Sequence, residues 1–197
     1  MNAIRFFYCW LIKSDDLCVL VDTGFFLRKM AKTRNRHYHS SPEALLAELD
    51  IDAVSIKHII VTHMHYDHIG NLPAFPNAVL YMQEKKRCTI APEGQCIILL
   101  FVHHLIQKNI SNAVLRLHIG KVRFLSAEEE LFPGISIQLV GGHTDGMQIV
   151  KVNTIRGILI LASDAAHFFG STYKKNTPFP IVKKVFLKCF FCPFGVN

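Results

Sequence analysis

Between Ile59 and Leu72 the chain reads IIVTHMHYDHIGNL, in which an apolar run ends at Thr62 and His63, His65, Asp67 and His68 follow. The apolar run has the make-up of a buried strand, so four polar, metal-competent groups are delivered together at a strand's end. An ordinary core or turn has no use for them. In an extended stretch His63, His65 and Asp67 would point to one side, with His68 breaking the alternation. Imidazole and carboxylate groups suit zinc, iron and similar divalent ions, and ligands this close can serve two ions. A lone histidine such as His58, His103, His104 or His118 is accounted for by an ordinary core or surface position. The spacing H-x-H-x-D-H is different, because it matches metal-ligand geometry and neither a helix nor a strand period.

The surrounding pattern gives this cluster company. YCWLIK, the turn-like SDD and LCVLVDTG predict a β-hairpin whose second strand ends at Asp22. Ser41 is placed to cap a short amphipathic helix with Pro42 at its first position. Ala78 to Met82 reads as a strand and Cys96 to Leu117 as mostly helix. VRFL, ISIQLV, MQIVKV and GILILA read as four strands separated by turns. GGHTDG follows ISIQLV and SDAAH follows GILILA, so three strands would each carry polar groups just past their C-terminal ends, the edge where open sheets place sites. No fixed-period repeat or low-complexity linker is present, so one domain over 1–197 is expected, closing with an atypical basic and aromatic tail at 181–197.

Composition excludes some classes of function. The net charge of +7 would suggest nucleic acid if it lay on one face, but five lysines and no acid fall after Asp164. Before that point basic and acidic groups nearly balance, and the run Arg28, Lys29, Lys32, Arg34 and Arg36 reads as a solvated face. No nucleic-acid partner is expected. No apolar run matches a spanning helix of about 20 residues, and the first residues do not form a signal peptide, so no membrane partner and a cytoplasmic location are expected. Six scattered cysteines favour reduced thiols, and the Cys189–Cys192 pair alone is no zinc or redox signature.

VDTG, THMHYDHIGN, GGHTDG and LASDA, in this order, resemble the metallo-β-lactamase fold hydrolases. GGHTDGMQIV and LASDAAHFF are most similar to the branch containing N-acyl homoserine lactonases. The resemblance covers about Phe7 to Pro180. It implies an α/β (in some schemes α+β) four-layer αββα sandwich, here incomplete at both ends, around two divalent metal ions: zinc, with iron or manganese as alternatives. His63, His65 and His143 would hold one metal, Asp67 and His68 the second, and Asp164 would bridge them. Asp22 would hold a ligand from behind, or else cap a turn. The implied reaction is attack of a metal-bound hydroxide on the carbonyl of an acyl lactone or ester, with Asp67 passing a proton to the leaving alkoxide. His167 would stand where homoserine lactonases carry a tyrosine that reaches the substrate carbonyl, or else pack beside Phe168 and Phe169. Relatives complete the second metal with a later histidine, whereas only His167 follows Asp164 here. The chain therefore reads as cut short or replaced past Pro180, with a weak second site. The clipped opening strand and the apolar tail suggest a chain that is marginally stable or a homo-oligomer.

Two other readings compete with a lactonase. One is a thioesterase or another hydrolase of the same fold, since fold does not fix substrate. The other is a remnant that binds metal with little turnover.

Overall fold

The computed structural model describes residues 8–25, 40–84 and 107–166. The basic run from Arg28 to Arg36, the stretch from Cys96 to Ile106, His167 and the 181–197 tail lie outside the described residues. The chain divides into two compact units, Met1–Leu125 and Ser126–Asn197.

The first unit is built on a five-stranded sheet in the order β1-β2-β3-β4-β5. The strands are β1 (Trp10–Lys13), β2 (Cys18–Val21), β3 (His58–Ile60), β4 (Val79–Gln83) and β5 (Val122–Leu125). The expected hairpin is β1 and β2, paired antiparallel, while β2, β3, β4 and β5 run parallel. Cross-strand partners share a face, and the register Leu11–Leu20–Ile59–Leu80–Val122 lays an apolar row across all five strands. With Val61, Ile69, Leu72 and Phe75, this row forms the unit's hydrophobic core.

Helix α1 (Pro42–Ala47) starts as its sequence dictates, with the Ser41 hydroxyl accepting from the Ala44 N–H at 3.3 Å and Leu46 buried in the core. Helix α2 (Gln107–His118) contributes Ala113 and Leu117 to that core. It also contributes Arg116, 7 % exposed, whose guanidinium donates to the carbonyls of Ala78 (2.7 Å), Leu72 (2.8 Å) and Phe75 (2.7 Å). Burial pushes the Arg116 pKa down. A single fork thus reaches three carbonyls of the turn between β3 and β4, adding a second donor to those of Leu72 and Phe75, which also accept the Phe75 and Ala78 N–H groups, and supplying one to that of Ala78.

The second unit is an antiparallel meander in the order β6-β7-β8-β9. Its strands are β6 (Glu128–Phe132), β7 (Ile135–Leu139), β8 (Gln148–Thr154) and β9 (Gly157–Leu161). Sequence reading differs here in two ways. VRFL is β5 of the first sheet, and β6 was not anticipated because Glu128, Glu129 and Glu130 break any apolar pattern. Those charges suit a strand at a sheet edge, where they discourage further pairing. Ile135 and Ile137 are buried opposite Val152 and Val150. Met147, Ile149 and Ala165 form a separate apolar cluster. Because β7 and β9 run the same way on either side of β8, the loop after β7 and the turn after β9 emerge at one end of this sheet.

Candidate metal centre

In the first unit the site begins where β2 and β3 end. The parallel register sets Val21 beside Ile60, so the next residues, Asp22 and the pair Val61 and Thr62, leave the sheet at the same edge. Asp22 is fully buried and adopts a left-handed backbone (φ 61°). Such a conformation costs about 1–2 kcal/mol for a non-glycine residue, and Asp and Asn tolerate it best. It persists because the carboxylate is held on several sides. Asp22 Oδ1 accepts from the Thr62 N–H at 2.8 Å, and Oδ2 accepts from the Thr62 hydroxyl at 2.7 Å and from His68 Nδ1 at 2.7 Å. Asp22 is therefore a carboxylate behind a histidine, the arrangement that in metal sites fixes which ring nitrogen is presented to an ion.

The segment from His63 to Asp67 does not run extended, as alternation would require. The His68 N–H donates to the His65 carbonyl at 3.0 Å and the Ile69 N–H to the same oxygen at 3.3 Å, so the chain turns at His65. The turn gathers rings that a strand would spread. The His63 ring centroid lies 4.5 Å from that of His65 and 4.0 Å from that of His68. Asp67 is 7 % exposed and His63 fully buried. The turn is fastened to the loop after β2. The Thr23 N–H donates to the His68 carbonyl at 2.6 Å, and the Asn71 side-chain amide donates to the carbonyls of Thr23 (2.6 Å) and Phe25. Cys9 lies under this loop. Burial, reinforced by the Asp22 and Glu43 carboxylates, pushes its thiol well above the usual range, which favours the protonated form.

In the second unit the loop after β7 carries His143. The Val140 and Gly141 N–H groups both donate to the Met147 carbonyl at 2.8 and 3.0 Å, and Gly141 and Gly142 take φ values of 65° and 88°. These two glycines let the chain reverse tightly enough to leave His143 at the loop's apex. Asp164 sits in a 3-10 turn, Ser163–Ala165, directly after β9, with Ala165 packed beside Met147. Ser163 also has a left-handed backbone (φ 47°). His143 Nε2 and Asp164 Oδ2 are 3.4 Å apart.

Donor spacing within each unit tests whether a metal fits. Tetrahedral zinc with bonds of about 2.0–2.1 Å sets its donors about 3.3 Å apart. His63 Nε2 and His65 Nδ1 are 3.0 Å apart, and the His143–Asp164 pair lies at 3.4 Å. Both pairs fit one edge of such a tetrahedron. Sequence reasoning nominated these residues and His68, but passed over Thr62 and Asn71. Both stand at the ends of THMHYDHIGN, but nothing in that motif assigns them a role, and only the fold shows what they hold.

Residues 6–147 match the model of the metallo-beta-lactamase superfamily, and the chain belongs to that superfamily. An N-acyl homoserine lactonase of Bacillus cereus is 19 % identical over 188 residues, which span 87 % of this chain and 68 % of that one. A probable metallo-hydrolase of Mycobacterium tuberculosis is 34 % identical over 84 residues, 36 % of this chain and 27 % of that one. The crystal structure of a quorum-quenching N-acyl homoserine lactone lactonase superposes with a TM-score of 0.57 at 22 % identity, over 81 % of this chain and 61 % of its own. The fold is accordingly the mixed α/β metallo-β-lactamase fold with its two sheets. This chain spans about 61 % of the length of that lactonase. Among the described residues no helix is long and apolar enough to cross a membrane.

Proposed function

We propose that the chain is a metal-dependent hydrolase that opens the ring of an acyl lactone, residues 1–197 acting as one catalytic domain. The observation that carries this reading is the pair of donor edges, His63–His65 and His143–Asp164, each spaced for one metal ion in a superfamily of metal-dependent hydrolases. In this reading His63, His65 and His143 hold one ion, Asp67 and His68 the second, and Asp164 both. Zinc suits the imidazole and carboxylate set, with iron or manganese as alternatives. Ions bound there supply a Lewis acid for the substrate carbonyl and lower the pKa of a water.

The chain's own residues do the rest. Asp22 and Thr62 orient the ligands. Asp67 takes up the proton released as water adds to the carbonyl and returns it to the alkoxide when the ring C–O bond breaks. His167, three positions after Asp164, donates a hydrogen bond to the substrate carbonyl. The lactonase relatives support a small acyl lactone as substrate, and opening such a ring would quench signalling by that molecule. Free thiols at Cys9 and Cys18 suit a reducing compartment.

The test is metal content per chain measured together with turnover of hexanoyl homoserine lactone and of a hexanoyl thioester. Lactone opening that disappears with chelation and returns with zinc is the expected result. Metal-dependent cleavage of the thioester alone would replace the lactonase by a thioesterase, and tightly bound metal without turnover of either would make the chain a binding remnant.

A further inference from the structure

One carboxylate in this site does two jobs, and the group that connects them is not among the ligands. Asp22 Oδ2 receives both His68 Nδ1 and the Thr62 hydroxyl, each at 2.7 Å. That same hydroxyl lies 3.2 Å from His63 Nδ1. A hydroxyl has one hydrogen, and here it points to the carboxylate, which only accepts. Toward His63 the oxygen can then only accept, so the hydrogen must come from His63 Nδ1. A neutral imidazole carries one N–H. His63 is thereby fixed as the Nδ1–H tautomer, and its Nε2 lone pair faces His65 Nδ1 across 3.0 Å, the edge on which a metal fits.

We propose that Thr62 is a positioning residue for the first metal: its hydroxyl sets the tautomer of His63 and, through Asp22, joins His63 and His68 into one hydrogen-bonded unit. This rests on the reading of the site as a metal centre. The local fold supports the assignment independently. Thr62 and Asp22 are both fully buried, so bulk water cannot substitute for either partner. The Thr62 N–H also binds Asp22 Oδ1 at 2.8 Å, so the residue is clamped at two points and its hydroxyl has little freedom to turn away. His63 and His68 are thus held by one carboxylate, the first through a hydroxyl and the second directly.

Thr62→Val keeps the shape and the backbone N–H and removes the hydroxyl, whereas Thr62→Ser restores it. Zinc ion is the probe, titrated against a chromophoric chelator. The wild type and Thr62→Ser should bind the first zinc equivalent alike, and Thr62→Val should bind it about 10–100-fold more weakly, the usual cost of losing such a partner. Imidazole nitrogen NMR on the metal-free wild type should show the Nδ1–H form at His63. Equal zinc affinity in wild type and Thr62→Val, or the Nε2–H form at His63 in the wild type, would overturn the proposal. The NMR measurement decides the matter even if Thr62→Val fails to fold. Absence of tight zinc in the wild type itself would instead overturn the metal-centre reading.

Discussion

At the scale of single residues, Asp22 is the position on which most of the site leans. Its carboxylate takes the Thr62 N–H, the Thr62 hydroxyl and His68 Nδ1, and its left-handed backbone is one that Asn also tolerates. Asp22→Asn therefore isolates the charge and the second acceptor. The amide NH2 must face either the Thr62 N–H or the Thr62 hydroxyl and His68 Nδ1 together, so at least one of these donors loses its acceptor. Metal affinity should fall about 10–100-fold, which chelator competition measures, with the far-UV circular dichroism unchanged. An unaltered affinity would mean that Asp22 does no more than cap the turn.

At the scale of elements, α2 and the turn between β3 and β4 are joined by Arg116. In Arg116→Met the carbonyl of Ala78 loses its donor and those of Leu72 and Phe75 keep only their backbone N–H partners, while the volume is nearly kept. Each buried acceptor left without a partner costs about 1–3 kcal/mol. A loss of about 1–3 kcal/mol is expected in urea denaturation, and an unchanged stability would show the Ala78 carbonyl finding another donor. Nothing in the sequence singled out this arginine, because its partners are backbone groups of a segment some 40 residues away. The elements themselves were legible where local chemistry agreed with the final packing. The hairpin over Trp10–Val21, the Ser41 cap, and the strands after Ile135, Gln148 and Gly157 follow from apolar runs bounded by turn residues. β6 was not legible, since an edge strand rich in glutamate obeys negative selection against pairing and not burial. The turn at His65 was hidden for a different reason: alternation describes the chain only until backbone hydrogen bonds bend it.

At the scale of the whole molecule, the proposed ligand set for the first metal joins His63 and His65, which follow β3 in the chain, to His143 and Asp164, which follow β7 and β9. This makes a stoichiometric prediction. His63→Ala and His143→Ala should each remove one metal equivalent, and the double variant should remove no more, as read by elemental analysis after gel filtration. Additive loss of two equivalents would mean separate ions. Metal also binds only the native arrangement, so saturation at 1,000 times the dissociation constant should add about 4 kcal/mol of stability. Chelation should lower the melting temperature accordingly. Candidate ligands were readable from sequence because metal chemistry restricts residue type and spacing. Which nitrogen each ring presents was not, because that depends on Asp22 and Thr62, brought together by the pairing of β2 with β3.

The first sheet links strands far apart in the chain, and the second is a meander of neighbours. During synthesis the parallel sheet cannot be completed until β5 has left the ribosome, and Asp22, Thr62, His63 and His68 all precede β5 in the chain. His143 and Asp164 do not yet exist outside the tunnel. In the proposed ligand set, a nascent chain at that stage offers His63, His65, Asp67 and His68 without His143 and Asp164. In that ligand set the first metal site is completed only once the meander has been made.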